Sequence, residues 1–229
     1  MEQGADNDEV GAARPRPGLR ARVLDAVRRE PLPPPSARPA RVAIAAVLGA
    51  SFTLAVSLWL GVELPERRPH LIAVTVAGAG LCALVATWIS AGRGRSMLGR
   101  SDASLLGLVL LGPLVLLGFC YALPRALGDT TAPGESGGAH AMCFAFTMLF
   151  AAGPFASLAY LRRGSDPLHP RALGAALATA AGAWGTTVMS LHCMFTSAAH
   201  VTLSHVGPVV VAALLGALAG ARLFGVRAR

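Results

Sequence analysis

Lysine is absent from this chain of 229 residues, and charged residues of all kinds make up only 14% of it. Hydrophobic residues make up 54%, and the mean hydropathy is +0.56. A soluble domain has about a quarter of its residues charged, so this chain has too little charge to cover the surface of a water-soluble globule. The composition therefore predicts an integral membrane protein.

Cysteine is scarce, and familiar enzyme motifs are missing. The four cysteines lie singly in apolar segments, which excludes a disulfide-rich secreted fold and a paired-cysteine metal motif. No nucleotide-binding loop, HExxH sequence or nucleophile elbow is present, and no carboxylate lies inside an apolar run. We therefore predict a protein that is not an enzyme and has no obligatory cofactor. No cleavable signal peptide is expected, because the first apolar run begins only near Val42 and is long enough to span.

Six apolar stretches are long enough to cross a bilayer. A spanning helix needs about 20 mainly apolar residues, since about 30 Å of hydrocarbon is crossed at about 1.5 Å per residue. The predicted fold is all-α, a polytopic membrane bundle of six transmembrane helices over residues 42–224, with a short carboxyl terminus at 225–229. The six stretches are 42–62, 71–91, 103–123, 139–161, 172–192 and, approximately, 201–224.

The arginines predict the orientation of this bundle. Seventeen of them lie in the amino-terminal segment, the second and fourth connections and the carboxyl end, while only Arg67, Arg68 and Arg125 lie in the other connections. Cytoplasmic loops carry the excess of positive charge, so both termini are predicted to be cytoplasmic. Because the arginines alternate with apolar runs and do not form a polar basic domain with interleaved aromatics, no direct nucleic-acid partner is predicted.

Residues 1–41 form a polar tail with one amphipathic segment. At about residues 18–30, bounded by prolines, a short helix is predicted, and a proline-rich spacer follows at 31–41. A helix of this length is marginal alone in water, so we expect it to fold against a surface. That surface is either the anionic lipid of the inner leaflet or a groove on a soluble protein partner. The apolar stripe and its neighbouring cation are Leu19, Val23, Leu24, Val27 and Arg28.

The predicted topology gathers most cysteines and histidines at one end of the bundle. Thiolate and imidazole are ligands that soft and borderline metals select, and thiols also react with oxidants, so we predict a sensing or redox function for this group. Packing is the alternative for any one cysteine, and we favour it for Cys82. The group consists of Cys120, Cys143, Cys193, His70, His140, His192, His200 and His205.

Within this group, Cys143 and Cys193 are the preferred pair. His140 and His192 accompany them in the sequence. These imidazoles would either complete a metal site with the two sulfurs or favour the thiolate at neutral pH. The metal ligands predicted are therefore Cys143, Cys193, His140 and His192.

Glycines are frequent in the last two spans, and Gly216 and Gly220 form a GxxxG motif. Small residues allow helices to approach closely where lipid provides no hydrophobic drive for association. Tight packing inside one bundle is the favoured interpretation of the motif. Homodimerisation is the alternative.

Several stretches together carry a family resemblance. The segment 162–170, the Gly/Ala-rich span after it, Leu191-His-Cys193, His200 and the run His205-Val-Gly-Pro-Val209 resemble the NrsF-like (negative regulator of sigma F) family of bacterial six-helix membrane anti-sigma factors. The tail segment 19–31 is similar to tails seen on such proteins.

The resemblance implies a multi-pass protein of the bacterial inner membrane that sequesters an extracytoplasmic-function sigma factor through its cytoplasmic tail. Release would follow when metal or oxidative stress acts on periplasm-facing cysteines, and a heavy-metal ion would be a transient ligand. Two cysteines are characteristic of the family, and Cys143 and Cys193 fit its pattern. Cys120 is an addition, which leaves a bond between it and either of the others open. A small permease or metal-handling protein is the alternative function.

Overall fold

The structure, a computed structural model, describes residues 37–61, 67–92, 101–129, 137–162 and 168–224. Within these ranges the chain is helical and contains no strand, so the all-α prediction is confirmed there. The tail helix predicted at 18–30, with its partner-binding residues, lies outside the described residues. The long helices of the described ranges are α1 (Ala37–Leu60), α2 (Pro69–Ala91), α3 (Asp102–Ala126), α4 (Gly137–Arg162), α5 (Pro170–Met189) and α6 (Ala198–Leu223).

Helices α2 to α6 are each long and apolar enough to cross a membrane. Helix α1 has 24 residues, and several of its described large side chains, such as Leu54 and Trp59, are exposed, while Val56 is buried. Each predicted stretch coincides with a helix to within a few residues. The largest difference is at α1, which begins at Ala37 rather than Val42 and so includes part of the predicted spacer.

Local sequence determines where several helices begin. Pro69 and Pro170 occupy the first helical positions of α2 and α5, where the missing N–H of proline costs nothing. The Ser101 hydroxyl caps α3 by accepting from the Ser104 backbone N–H at 3.4 Å. The Ser197 hydroxyl caps α6 in the same way, accepting from the backbone N–H of His200 at 3.1 Å.

Helix α5 is the centre of the bundle. It contacts α2, α3, α4 and α6. Of the residues in its apolar stretch, 83% are buried, compared with 22% for the apolar stretch of α3. Its buried positions are mostly alanine, glycine and threonine, which let the surrounding helices approach closely. Large apolar side chains are instead exposed on the outer helices, such as Leu110 on α3 and Leu218 on α6, as expected of surfaces that face lipid.

The GxxxG motif of α6 packs against α5 of the same chain. A side chain at Gly216 would meet the carbonyl oxygen of Gly174, and one at Gly174 would meet the carbonyl oxygen of Gly216. A side chain at Gly220 would likewise meet the carbonyl oxygen of Pro170. The two helices therefore touch through their backbones, and the motif serves packing within one chain.

Helix α6 widens into a π-helical segment at Val201–Val206. The cause lies two residues further on, because Pro208 has no N–H to donate to the carbonyl of Ser204, four residues earlier. That carbonyl accepts from the hydroxyl of Thr147 on α4 instead, at 3.0 Å. Such π segments often occur at functional sites, and this one contains His205 and directly follows His200, two of the predicted site histidines.

Candidate functional site

The structure brings two of the predicted cysteines into contact. Cys143 lies on the second turn of α4, and Cys193 lies in the connection between α5 and α6. Their Sγ atoms are 3.8 Å apart, although 50 positions separate them in the sequence. Both side chains are buried, with exposures of 8% and 5%, and neither forms a disulfide.

One histidine completes a compact group with these sulfurs. The Nε2 atom of His200 lies 3.2 Å from the Sγ atom of Cys193. One ligand atom from each of Cys143, Cys193 and His200 lies within 4.8 Å of the other two. His200 itself is fully buried. Three residues with soft or borderline ligand atoms thus meet at the end of the bundle where α4 begins and α5 ends.

The other two site histidines on α4 and α6 surround His200. The ring of His140 lies 4.9 Å from that of His200, centroid to centroid, and the ring of His205 lies 5.5 Å from it. The Nδ1 atom of His200 and both ring nitrogens of His205 are buried with no hydrogen-bond partner among the described residues. A buried polar atom without a partner costs about 1–3 kcal/mol of folding free energy. Packing alone therefore does not explain why these histidines are buried here.

Hydrogen bonds to the π segment hold this group in place. The Thr186 hydroxyl of α5 donates to the His205 carbonyl at 2.9 Å. The Ser204 hydroxyl donates to the carbonyl of His140 at 3.2 Å, and the Thr147 hydroxyl is within 2.7 Å of the Cys143 carbonyl. Helices α4, α5 and α6 are therefore joined by polar contacts beside the sulfurs.

The proton of Cys193 is held tightly. The hydrogen bond between its sulfur and that of Cys143 raises the pKa of Cys193 far above its ordinary value, and burial raises it further. Two sulfurs this close cannot both carry a negative charge without a cation between them. The pair is therefore suited to gaining a cation or losing electrons.

His192, which the sequence placed beside Cys193, lies apart from the sulfur group. Its ring stacks on that of Phe150 with the centroids 5.7 Å apart, and partial burial lowers its pKa. The imidazole that approaches the sulfurs is that of His200, seven positions after Cys193. Neighbouring residues in a turn point their side chains in different directions, which is why adjacency in the sequence misplaces the third member.

Cys120 belongs to a different part of the core. It lies in a second π-helical segment, Gly118–Ala122, of α3. It packs in a buried cluster with Ala83 and Val201, and Cys82 lies against the same cluster. Cys143 and Cys193 belong together to another cluster. The structure thus groups Cys143 with Cys193 and separates Cys120 from both.

A buried ion pair was not singled out by the sequence reasoning. The Nε atom of Arg67, just before α2, donates to Oδ2 of Asp129, just after α3, at 2.8 Å. The two side chains are only 5% and 1% exposed. The Arg125 guanidinium also donates to the Asp129 backbone carbonyl, at 2.8 Å. The sequence held one signal for this contact. Asp129 follows α3 on the side of the membrane where the predicted topology also places Arg67.

The chemistry open to the sulfur group is limited. Two thiols and an imidazole offer ligands for a soft or borderline cation. Two thiols in contact also allow a two-electron oxidation to a disulfide, which an external oxidant would have to drive. Both reactions change the contacts between α4 and the connection that precedes α6.

Comparison with known proteins identifies a family. The family model described as negative regulator of sigma F matches residues 26–225. None of the curated proteins and none of the solved structures matches significantly. The matched range contains the sulfur group and the whole described part of the bundle from α1 to α6.

Proposed function

Because the chain belongs to the family of negative regulators of sigma F, we propose that it is an inner-membrane anti-sigma factor that sequesters an extracytoplasmic-function sigma factor and is not an enzyme. The observation that carries this proposal is the extent of the family match, residues 26–225. This range includes the five helices of spanning length found among the described residues, and it begins inside the predicted tail helix.

The tail is the element we assign to the sigma factor. Its predicted stripe of Leu19, Val23, Leu24 and Val27 would occupy a groove on the sigma factor, with Arg28 at its edge. Capture there would deny the sigma factor its access to RNA polymerase. The proline-rich residues after the stripe lead directly into α1, so the tail is attached to the bundle through that helix.

Sensing is assigned to the sulfur group. With both termini in the cytoplasm, as the arginine distribution predicts, Cys143, Cys193 and His200 would lie at the periplasmic end. Support comes from the burial of the two sulfurs in one cluster with Val56 of α1. A metal ion or a disulfide formed there would repack side chains that touch the very helix to which the tail is attached.

Helix α1 also packs along α4 away from the sulfurs. The ring of Phe52 lies where a side chain of Gly153 would be. A signal can shift the tail only by as much as it favours one packing arrangement over the other. The proposed route from sensor to tail therefore involves few elements: it runs from Cys143 on α4 to Val56 of α1, and then along α1 to its amino-terminal end, where the tail begins.

The test is capture of a sigma factor by the purified full-length protein in lipid nanodiscs. We expect an extracytoplasmic-function sigma factor of the same organism to bind, and Leu24→Asp to abolish binding by placing a charge in the apolar stripe. Ala21→Asp is the matched control, since it adds the same charge to the tail at a position outside the stripe and should retain binding.

Two results would contradict the proposal. The first is absence of binding to every sigma factor of that organism. The second is equal loss of binding by Leu24→Asp and Ala21→Asp, which would mean that charge rather than the stripe matters. A tail that binds anionic vesicles in place of any sigma factor would support the lipid interpretation of the same segment.

A further inference from the structure

We propose that His200 completes, with Cys143 and Cys193, a three-ligand site for a thiophilic divalent cation of the zinc and cadmium class. The inference deepens the proposed sensing role by naming the ligand set and the class of ion. Its basis is the meeting of Cys143 Sγ, Cys193 Sγ and an imidazole nitrogen of His200 within 4.8 Å of one another, all on buried residues.

The distances fit a tetrahedral ion. Sulfur ligands lie about 2.3 Å from zinc, and two of them at a tetrahedral angle are therefore about 3.8 Å apart. The observed separation of Cys143 Sγ and Cys193 Sγ is 3.8 Å. A sulfur and an imidazole nitrogen on the same ion would be about 3.6 Å apart, so the His200 nitrogen, at 3.2 Å from the Cys193 sulfur, needs to move back by only a few tenths of an ångström.

A disulfide would need a different arrangement. The two sulfurs of a disulfide are about 2.05 Å apart, so both side chains would have to turn toward each other from their present separation. The separation of the two sulfurs already matches that of two sulfur ligands on one ion. A metal ion would also use the imidazole of His200 as a ligand, whereas a disulfide does not require one.

The charge balance favours a soft divalent ion. When the ion binds, each thiol releases its proton to solvent, leaving two thiolates and a neutral imidazole around a charge of +2. The bound site then carries no net charge, which suits a buried location. Two sulfurs and one nitrogen exclude hard ions such as magnesium and calcium, which require oxygen ligands.

The surrounding histidines belong to the same polar pocket. Both ring nitrogens of His205 and Nδ1 of His200 are buried and unpartnered among the described residues. Three protein ligands leave one tetrahedral position for an exchangeable ligand, which is typical of sites that react and atypical of closed structural sites. An exchangeable site is what a reversible sensor requires.

The experiment uses the full-length, reduced protein in nanodiscs with cobalt(II) as the probe. We expect one ion per chain, with the absorption bands of tetrahedral cobalt and a thiolate charge-transfer band, and displacement by zinc or cadmium. Replacing groups that only support a metal ligand weakens binding about 10- to 100-fold, so His200→Gln, which removes a ligand, should weaken it at least as much. His200→Cys should restore tight binding through a third sulfur.

His192→Ala is the matched control, because His192 adjoins Cys193 in the sequence while its ring stacks on Phe150. We expect it to bind cobalt as the unaltered protein does. Cys143→Ser should weaken the thiolate charge-transfer band, because Cys193 would then be the one sulfur ligand left at the site. Unaltered affinity in His200→Gln, octahedral cobalt spectra, or absence of binding by the unaltered protein would each overturn the inference.

Sigma-factor capture is measured on the same preparations without metal, so the two proposals fail separately. Capture without cobalt binding would overturn the site alone. Cobalt binding without capture would overturn the anti-sigma function and leave the site in place. Size-exclusion profiles and helical circular dichroism matching the unaltered protein identify the variants that have folded and are used for comparison.

Discussion

At the scale of single residues, two sulfur atoms and one imidazole nitrogen come together. Cys143 and Cys193 come from segments 50 positions apart and meet at 3.8 Å. Cys82 and Cys120 pack elsewhere, in a cluster of small and branched apolar side chains. The four cysteines of this chain therefore divide into a pair in contact and two residues that pack in another cluster.

This division predicts the phenotype of cysteine variants. We expect Cys143→Ser combined with Cys193→Ser to keep a sigma-dependent reporter gene at its uninduced level when cells are exposed to cadmium or to a thiol oxidant. Serine hydroxyls neither bind soft cations nor form disulfides. Cys82→Ser combined with Cys120→Ser is the control and should leave induction normal. Normal induction in the first double variant would remove the pair from the mechanism.

Histidines at the same scale differ in role although their surroundings in the sequence are alike. His192 directly precedes Cys193 but stacks on Phe150, while His200 follows at a distance and approaches the sulfur. The Ser197 hydroxyl caps the start of α6 by accepting from the His200 backbone N–H, so His200 lies in the first turn of that helix.

At the scale of secondary-structure elements, the contact between α5 and α6 is made by backbone. Gly174 and Gly216 each occupy a position where a side chain would overlap the other's carbonyl. Close contact of this kind replaces the hydrophobic effect, which lipid does not supply between helices. The geometry also explains why α5 is composed of small residues along its length.

This packing predicts opposite effects for two identical substitutions. Gly216→Ala should destabilise the bundle by about 1–3 kcal/mol, because the added methyl group cannot be accommodated without moving a helix. Gly107→Ala on α3, where a side chain would meet nothing within 4 Å, should be neutral or slightly stabilising, since alanine favours helix. Unfolding in mixed detergent, followed by circular dichroism, measures both. Equal stability of the two variants would contradict the packing.

The π segment of α6 is a second feature at this scale. The missing N–H of Pro208 frees a carbonyl that Thr147 of α4 then binds. The same segment contributes His205, whose carbonyl binds Thr186 of α5. A single proline therefore both widens the helix and connects it to its two neighbours beside the sulfurs.

At the scale of the whole molecule, α5 is surrounded by its neighbours and large apolar side chains cover the outside. At the end of the bundle that carries the sulfurs, the buried pair of Arg67 and Asp129 joins the segments before α2 and after α3. Removing one partner of a buried ion pair leaves an uncompensated charge, which is strongly destabilising. We therefore expect this pair to stabilise the contact between the segment before α2 and the segment after α3.

The proposed topology is tested on the whole chain. With six crossings and cytoplasmic termini, a green fluorescent protein fused after Arg229 should fluoresce, and alkaline phosphatase fused there should be inactive. Phosphatase fused after Gly61, in the connection between α1 and α2, should be active, because that connection is predicted to be periplasmic. Active phosphatase at the carboxyl terminus would reverse the assignment of the sulfur group to the periplasm.

The sequence by itself determined the helical class and the positions of the helices. Length and hydropathy are sums over about 20 neighbouring residues, so the ends of α2 and α4 were located to within a few positions without any tertiary information. The pairing of Cys143 with Cys193 was also preferred from the sequence. Predicted topology alone did not select this pair, because it placed Cys120 at the same end; the preference rested on the neighbouring histidines and on the family resemblance.

Only the tertiary structure decided which groups join that pair and which surfaces pack together. The choice of His200 over His192, the separate location of Cys120, and the contact of Gly216 with α5 all depend on how each helix is rotated about its own axis. Rotation is set by contacts between residues far apart in the chain, such as Thr147 with Ser204. A helix that is hydrophobic on every side does not reveal in its sequence which face packs against protein. The reason is that lipid and protein neighbours accept the same apolar side chains.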